Sequence, residues 1–283
     1  MELHEVGGRA TEGESMRLKD KVAIIIGAGQ SEGSTAAIGN GRATALVFAR
    51  EGAKVLVVDR DITSATETVT LIAQEGREAT AYQADVVDEQ QIRTVIDTCV
   101  QCWGRIDILH NNVGISVAGK DAAVEDITTE AFDRLVAVNL RSMVYSCKHT
   151  IPIMRQQRSG AIVNISSIAA WSTYPWVGYK TTKAAVIALT QQIAIQNAPY
   201  GIRANVILPG LMDTPMAVDT RARTWGRPRE TIAAERDAQV PLRQKMGTAW
   251  DVAHAALFLA SDEANFITGV ALPVDGGASV RVG

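Results

Sequence analysis

The stretch VAIIIGAGQSEGSTAAIGNGRATALVFAREGAKVLVVDRD, residues 22–61, decides the fold. It opens on five consecutive apolar residues, VAIII (22–26), the pattern of a strand buried on both faces. A glycine-rich turn follows, then GRATALVFARE (41–51) with helical patterning, then a second apolar run, KVLVV (54–58). Strand, glycine-rich turn, helix and strand in this order make the opening unit of a dinucleotide-binding sheet. Glycines allow a tight turn and a close backbone approach to a pyrophosphate. The helix N-terminus behind them offers free N–H groups and a positive dipole end.

Outward from this unit the same alternation continues. EATAYQA (78–84), IDILH (106–110), AIVNI (161–165), IRANVIL (202–208) and VALPV (270–274) read as further strands. Helical patterns cover 63–76, 88–104 and roughly 129–157, 177–198 and 249–260. Strands alternating with helices build an α/β fold, a single Rossmann-type doubly wound parallel sheet with helices on both faces. Residues 1–18 read as a flexible tail and 19–283 as one dinucleotide-binding domain. Met16 opens MRLKDKVAIII, which resembles a normal start for such a domain, so the tail is an extension or a misassigned start. The polar, Arg-rich stretch 211–247 is poorly periodic and reads as a flexible flap over the substrate.

The composition narrows the function. The chain has 283 residues, 47% apolar and 21% charged, an ordinary soluble balance. A net charge of −3 gives no electrostatic case for nucleic acid or anionic membrane. No apolar run reaches the roughly 18 residues of a membrane span. The polar, acidic start MELHEVGGRATEGES lacks a signal peptide's apolar core, which points to a cytoplasmic protein. Cys99 and Cys102 form a CxxC, but no second Cys or His pair completes a zinc site and no strand ends just before it, so the reading is helix packing. The four histidines are scattered, and no metal is expected.

GAG…GNGRATALVFAREGAKVLVVDRD resembles the cofactor turn, first helix and second strand of the short-chain dehydrogenases/reductases. That family's pattern is GxxxGxG; here the glycines run from Gly27 to Gly41, with an insertion around 30–38. The resemblance implies Gly27, Asn40 and Gly41 at the pyrophosphate. It implies Asp59, directly after the second strand, on the adenosine ribose, where a carboxylate accepts from both hydroxyls and repels a 2′-phosphate. NAD is therefore expected over NADP, although Arg60 next door is able to pair with a 2′-phosphate. Asp85 and Val86 would border the adenine. Asn111-Asn112-Val113-Gly114 is similar to the family's NNAG, with valine for alanine, and puts Asn112 and Gly114 in the cofactor set. Pro209-Gly210-Leu211-Met212-Asp213-Thr214 resembles PGxxxT, whose backbone and Thr214 would hold the nicotinamide carboxamide. Pro209, Gly210 and Met212 belong to the same set.

Tyr179-Lys180-Thr181-Thr182-Lys183 carries the chemistry. Tyr179 and Lys183 lie one turn apart on one helix face. A phenol near pKa 10 is a poor base at neutral pH, and a neighbouring ammonium with an oxidised nicotinamide favours its phenolate. Tyr179 then takes a proton from an alcohol or gives one to a ketone, and Lys183 also binds the nicotinamide ribose. Ser167 resembles the family's catalytic serine. It lies twelve residues before Tyr179, whereas a spacing of thirteen, common among relatives, points to Ser166. Asn139, in FDRLVAVNLRS, resembles the fourth member, which holds a proton-relaying water; the bland alternative is an exposed polar residue.

The reading is an NAD-dependent oxidoreductase that interconverts a secondary alcohol and a ketone. Its alternatives are an NADPH-dependent ketone or 3-oxoacyl reductase, a non-catalytic NAD-binding regulator, and a sugar-nucleotide epimerase. Trp171, Tyr174, Trp176 and Met212 either line an apolar pocket or pack the core or a subunit contact. Arg221, Arg223, Arg227, Arg229 and Arg236 form a solvated face or bind an anionic substrate. The resemblance also implies a homotetramer, paired through the stretches 129–157 and 177–198.

Overall fold

The computed structural model describes residues 16–30 and 37–281. Its strands are β1 (Val22–Ile26), β2 (Lys54–Asp59), β3 (Ala79–Gln83), β4 (Ile108–Asn111), β5 (Gly160–Ile165), β6 (Ile202–Pro209), β7 (Met212–Asp213), β8 (Gly247–Thr248) and β9 (Ala271–Val274). Seven of them form one parallel sheet in the order β3-β2-β1-β4-β5-β6-β9, while β7 and β8 pair separately. The helices are α1 (Asn40–Arg50), α2 (Ile62–Gln74), α3 (Glu89–Trp103), α4 (Thr129–Val136), α5 (Ser142–Gln157), α6 (Val177–Asn197), α7 (Thr220–Trp225), α8 (Arg229–Asp237) and α9 (Ala249–Ala260). This is the doubly wound sheet that the apolar runs predict.

Each central strand feeds two cores because successive side chains face opposite ways. Ala23, Ile25, Val55, Val57 and Val163 pack with α1 and α9 through Phe48, Val252 and Leu257. Val22, Ile24, Leu56, Val58 and Ile162 pack on the other face with Ile92, Val95, Ile96 and Met154. Both faces of the sheet are therefore dry, which is why these strands read as continuous apolar runs. Caps set the helix starts. Asp61 accepts from the N–H groups of Thr63 and Ser64 at α2, Asp88 from Gln90 and Gln91 at α3, and Thr248 with Asp251 closes a capping box at α9.

Three sequence expectations change. Leu18, assigned to the tail, is fully buried, and its N–H donates to the Glu51 carbonyl, so the packed chain begins ahead of residue 19. Residues 1–15 and 31–36, which hold the rest of the tail and most of the insertion, lie outside the described residues. The single helix expected over 129–157 is α4 and α5 joined by a π-helical turn, Ala137–Arg141. The stretch 211–247 contains β7, another π-helical turn (Pro215–Asp219), α7 and α8. Its helices are short, and α8 puts only Ile232 fully inside, which leaves almost no periodic apolar signal.

Candidate active site

Sheet order reverses between β1 and β4, and crevices at such switch points open beyond the strands' carboxyl ends. The residues that end β1, β2, β4, β5 and β6 therefore gather along one rim.

The glycine turn follows β1. Gly27 has φ +85, and a Cβ on Gly41 would stand 1.9 Å from the Gly27 carbonyl oxygen, so the turn and the start of α1 touch backbone to backbone. Asn112 Nδ2 donates to the same carbonyl at 2.9 Å, tying the end of β4 to the turn. Val113, the departure from NNAG, packs on Gly27: its Cγ2 lies 2.6 Å from where a Gly27 Cβ would be. The Asp59 carboxylate accepts from Gly29 N at 2.9 Å and from Asp61 N at 3.1 Å. Gln30 bridges the ends of the insertion, donating to Ala37 O at 3.0 Å and accepting from Gly39 N at 3.2 Å. The Asn40 Oδ1 is buried and has no hydrogen-bond partner among the described residues. Val86 is buried in the core, whereas Asp85 is exposed and its carboxylate accepts from Val87 N at 3.1 Å within its own loop.

The reactive side chains stand on two helices locked to the sheet by a buried polar ladder. Asn111 and Asn164 are register partners, and Asn111 Nδ2 donates to Asn164 Oδ1 at 2.8 Å. Ser146 of α5 donates to Asn111 Oδ1 at 2.8 Å, and Asn164 donates to Thr190 of α6 at 2.9 Å. Buried polar groups that satisfy one another hold α5 and α6 in one position.

On that frame, Asn139 sits in the π-helical turn and is fully buried, not surface-exposed. Its Oδ1 accepts from Ile115 N at 2.7 Å, and its Nδ2 donates to Ile115 O at 2.9 Å and to Thr182 at 3.2 Å. Lys183 is buried, and its Nζ donates to Ile165 O at 2.8 Å and lies 5.6 Å from the Tyr179 ring centroid. A Cβ on Gly114 would come within 3.0 Å of that Nζ and 3.6 Å of Asn139 Oδ1, so Gly114 keeps the space open. The two serines diverge. Ser166 is buried and donates to Lys183 O at 2.6 Å. Ser167 is part-exposed, and its hydroxyl is close enough to the Tyr179 phenol to favour the ionised form.

Burial dominates the electrostatics at Tyr179. Burial, with Tyr174 beside it, pushes its pKa up to about 12, and Ser167, Arg221 and Arg236 only partly offset that. Burial drives Lys183 down to about 7. Lys183 is not among the groups that lower the Tyr179 pKa, and its Nζ donates to the Ile165 carbonyl. In this state the phenol keeps its proton.

Four further residues contribute, of which only Asp121 carried no sequence signal. Asp121 accepts from Gly178 N at 2.9 Å and Tyr179 N at 2.8 Å, clamping the first turn of α6 from a loop 58 positions away. Tyr174 lies 5.5 Å from Tyr179, ring to ring, and shares a 3.0 Å hydrogen bond with the buried Ser116. Arg221 and Arg236 reach Tyr179 and Tyr174 from the segment expected to be a flap.

At the last rim position, Pro209 ends β6, and a Gly210 Cβ would stand 2.6 Å from Asp275 Cα. Thr214 is buried, and its hydroxyl accepts from Ala217 N at 3.3 Å. Met212 is buried in the core, its side chain against Gly247. Trp171 is exposed, while Trp176 packs edge-on against Tyr174 at 5.6 Å. Cys99 is buried and Cys102 exposed.

Among known proteins, a family model described as enoyl-(acyl carrier protein) reductase matches residues 33–279. Levodione reductase of Leifsonia aquatica is 34% identical over 273 residues, 95% of this chain and 98% of its own. The 3-oxoacyl-acyl-carrier-protein reductase FabG of Thermotoga maritima is 35% identical over 267 residues, 93% of this chain and 99% of its own. The crystal structure of levodione reductase superposes with a TM-score of 0.85 at 33% identity, covering 94% of this chain and all of that one (100%). The chain belongs to the short-chain dehydrogenase/reductase family. It is an oxidoreductase of the NAD(P)-dependent kind that this family comprises.

Proposed function

We propose that this protein interconverts a secondary alcohol and a ketone with NAD, using Tyr179 as general acid and base. The observation that supports it best is Tyr179 standing beside both Ser167 and Lys183, with Lys183 Nζ and Asn139 Oδ1 both next to Gly114. A nicotinamide dinucleotide fits the rim: the Gly27–Gly41 contact leaves backbone open to a pyrophosphate, and the orphaned Asn40 Oδ1 is an acceptor in want of a hydroxyl donor. When bound, the cofactor supplies or takes the hydride and, oxidised, adds a positive charge.

Each residue then has a separate task. Asp59 keeps lone pairs free beyond its two N–H partners and accepts from the adenosine ribose; its charge disfavours a 2′-phosphate. Lys183 has donors beyond the one on Ile165 O and holds the nicotinamide ribose. Gly210, the Met212 backbone and Thr214 hold the carboxamide. Ser167 and Tyr179 bind the substrate oxygen between them. In the reductive direction Tyr179 donates its proton to that oxygen, for which a phenol that retains its proton is suited. In the oxidative direction it accepts the proton, helped by protonated Lys183, and Asn139 orders the water that carries it onward. Val144 on α5 and Ile195 on α6, both exposed, suit a tetramer paired through those helices.

Tyr179→Phe tests the reading. Turnover falls by about a thousandfold, the scale of lost general acid–base catalysis, while NADH still binds by fluorescence titration. Undiminished turnover overturns the assignment. A second reading, reduction with NADPH, draws on exposed Arg60 beside Asp59 and on the similarity to FabG. Rates with the two reduced cofactors at equal concentration decide between them.

A further inference from the structure

Five arginines crowd residues 221–236, and the structure separates them. Arg227 pairs with Glu235 at the surface. Arg229 pairs with both Asp213 and Asp219. Arg221 donates to the Ala217 carbonyl at 2.9 Å and lies over the Trp225 ring at 5.9 Å, with no ion-pair partner among the described residues. Arg236 likewise makes no ion pair there, and its Nε is buried without a hydrogen-bond partner.

Both unmatched guanidiniums lie within electrostatic reach of Tyr174 and Tyr179. Each acts electrostatically on Tyr174 and on Tyr179, and they act on one another. Burial and the neighbouring Arg221 bring Arg236 down to about 10, so it remains charged at neutral pH. The nearby carboxylates are already engaged. Asp213 is held by Arg229, and Asp121 by the N–H groups of Ala122, Gly178 and Tyr179. Two like charges beside each other, one with a buried orphan N–H, cost stability unless an anion joins them. Guanidinium groups suit that anion, because their fork of N–H donors matches an oxyanion in two-pronged fashion.

We propose that Arg221 and Arg236 form an anion-binding subsite, so that the preferred substrate is an alcohol or ketone bearing a carboxylate, phosphate or sulfonate near the reacting carbon. This rests on Tyr179 being the proton-transfer group. It does not concern the cofactor's own pyrophosphate, which the proposed reading puts at the glycine turn, at the other end of the rim. Anion binding by the arginines orients the carbonyl toward Ser167 and Tyr179.

The test compares kcat/KM for α- and γ-oxo acids with that for their methyl esters, in the wild type and in Arg236→Met, Arg236→Lys and Arg227→Met. The wild type prefers acid over ester. Arg236→Met lowers that ratio on the order of 100-fold, mostly through KM, as expected when one member of a buried charged contact is removed. Arg236→Lys keeps part of the preference, and Arg227→Met, an exposed paired arginine, leaves it where it was. A wild-type ratio near one, or a ratio unmoved by Arg236→Met, overturns the subsite. If Tyr179→Phe still abolishes turnover in that case, the parent reading survives. If no oxo acid or ester is turned over, saturable quenching of tryptophan fluorescence by inorganic sulfate decides: binding that Arg236→Met removes supports the subsite, and its absence overturns it.

Discussion

The two halves of the rim treat their polar groups differently. Around the glycine turn nearly every strong donor or acceptor has a protein partner. Asp59 holds two N–H groups, Arg42 binds Ser64, Glu67 and Thr68, and Asn112 holds Gly27. Only the Asn40 Oδ1 is left over there among the described residues. Around Tyr179, among the described residues, two cations lack counter-ions and Lys183 has a single carbonyl acceptor, and the phenol is held protonated. On the reading proposed above, the cofactor half is built before its ligand arrives, and the substrate half is electrostatically incomplete until its ligand brings charge. One fold can thus keep a common cofactor cradle while varying the chemistry it accepts.

The sharpest way to break this contrast is at the closest contact of the preorganised half. A Cβ on Gly41 would overlap the Gly27 carbonyl at 1.9 Å, and neither backbone has room to retreat beneath Asn112. Gly41→Ala should abolish NADH binding in a fluorescence titration and leave Tyr179 without a partner to act on. Normal binding would mean that the turn is pliable and the halves do not differ. Next in size is the serine pair. Ser167→Ala should lower kcat on the order of 100-fold, while Ser166→Ala, which loses a hydrogen bond to Lys183 O, should cost about 1 kcal/mol of stability with little change in kcat. Equal kinetic effects would erase the division between a reacting and a bracing hydroxyl. Asp59→Ala is smaller: the NAD-to-NADP preference, measured as a ratio of kcat/KM, should fall roughly tenfold with loss of the like-charge repulsion. An unchanged ratio would take specificity away from that carboxylate.

How far the sequence could be read follows the same line. The sheet was readable because VAIII, KVLVV and AIVNI are buried on both faces and leave an unbroken apolar signature. Tyr179 and Lys183 were readable because a spacing of four fixes their side of a helix. Spacing could not say where Lys183 Nζ points, and the structure puts it on the Ile165 carbonyl. Alternation along β5 implies that Ser166 and Ser167 diverge, but which one faces Tyr179 depends on how β5 enters the following turn. The five arginines look alike in sequence. Burial and the positions of Asp213, Asp219 and Glu235 distinguish them, and those are tertiary facts. Asp121 was invisible for the same reason, since an irregular loop has no period that could announce a partner 58 positions away.

An unsatisfied buried group does not by itself announce a ligand, and His110 marks that limit. It lies on β4 between the two halves, fully buried, with both ring nitrogens unpartnered and its ring edge-on to Phe48 at 6.2 Å. Neither half of the rim exposes it to anything able to bind it. Arg236 keeps its charge, whereas His110 gives its charge up: burial lowers its pKa from 6.5 to about 3. The folded protein therefore declines a proton that the unfolded chain accepts once the pH drops below 6.5. The stability due to neutral His110 is complete above that pH and declines by about 1.4 kcal/mol per pH unit below it, toward the folded value. His110→Leu removes this loss while keeping an apolar side chain against Phe48. Urea denaturation from pH 7 down to pH 4.5 should show the variant losing less stability than the wild type by that slope, with equal or greater stability at neutral pH. Parallel curves would mean that the histidine is protonated in the folded state. It would then need a partner, and the contrast between a group that waits for a ligand and one that does without would fail at its simplest case.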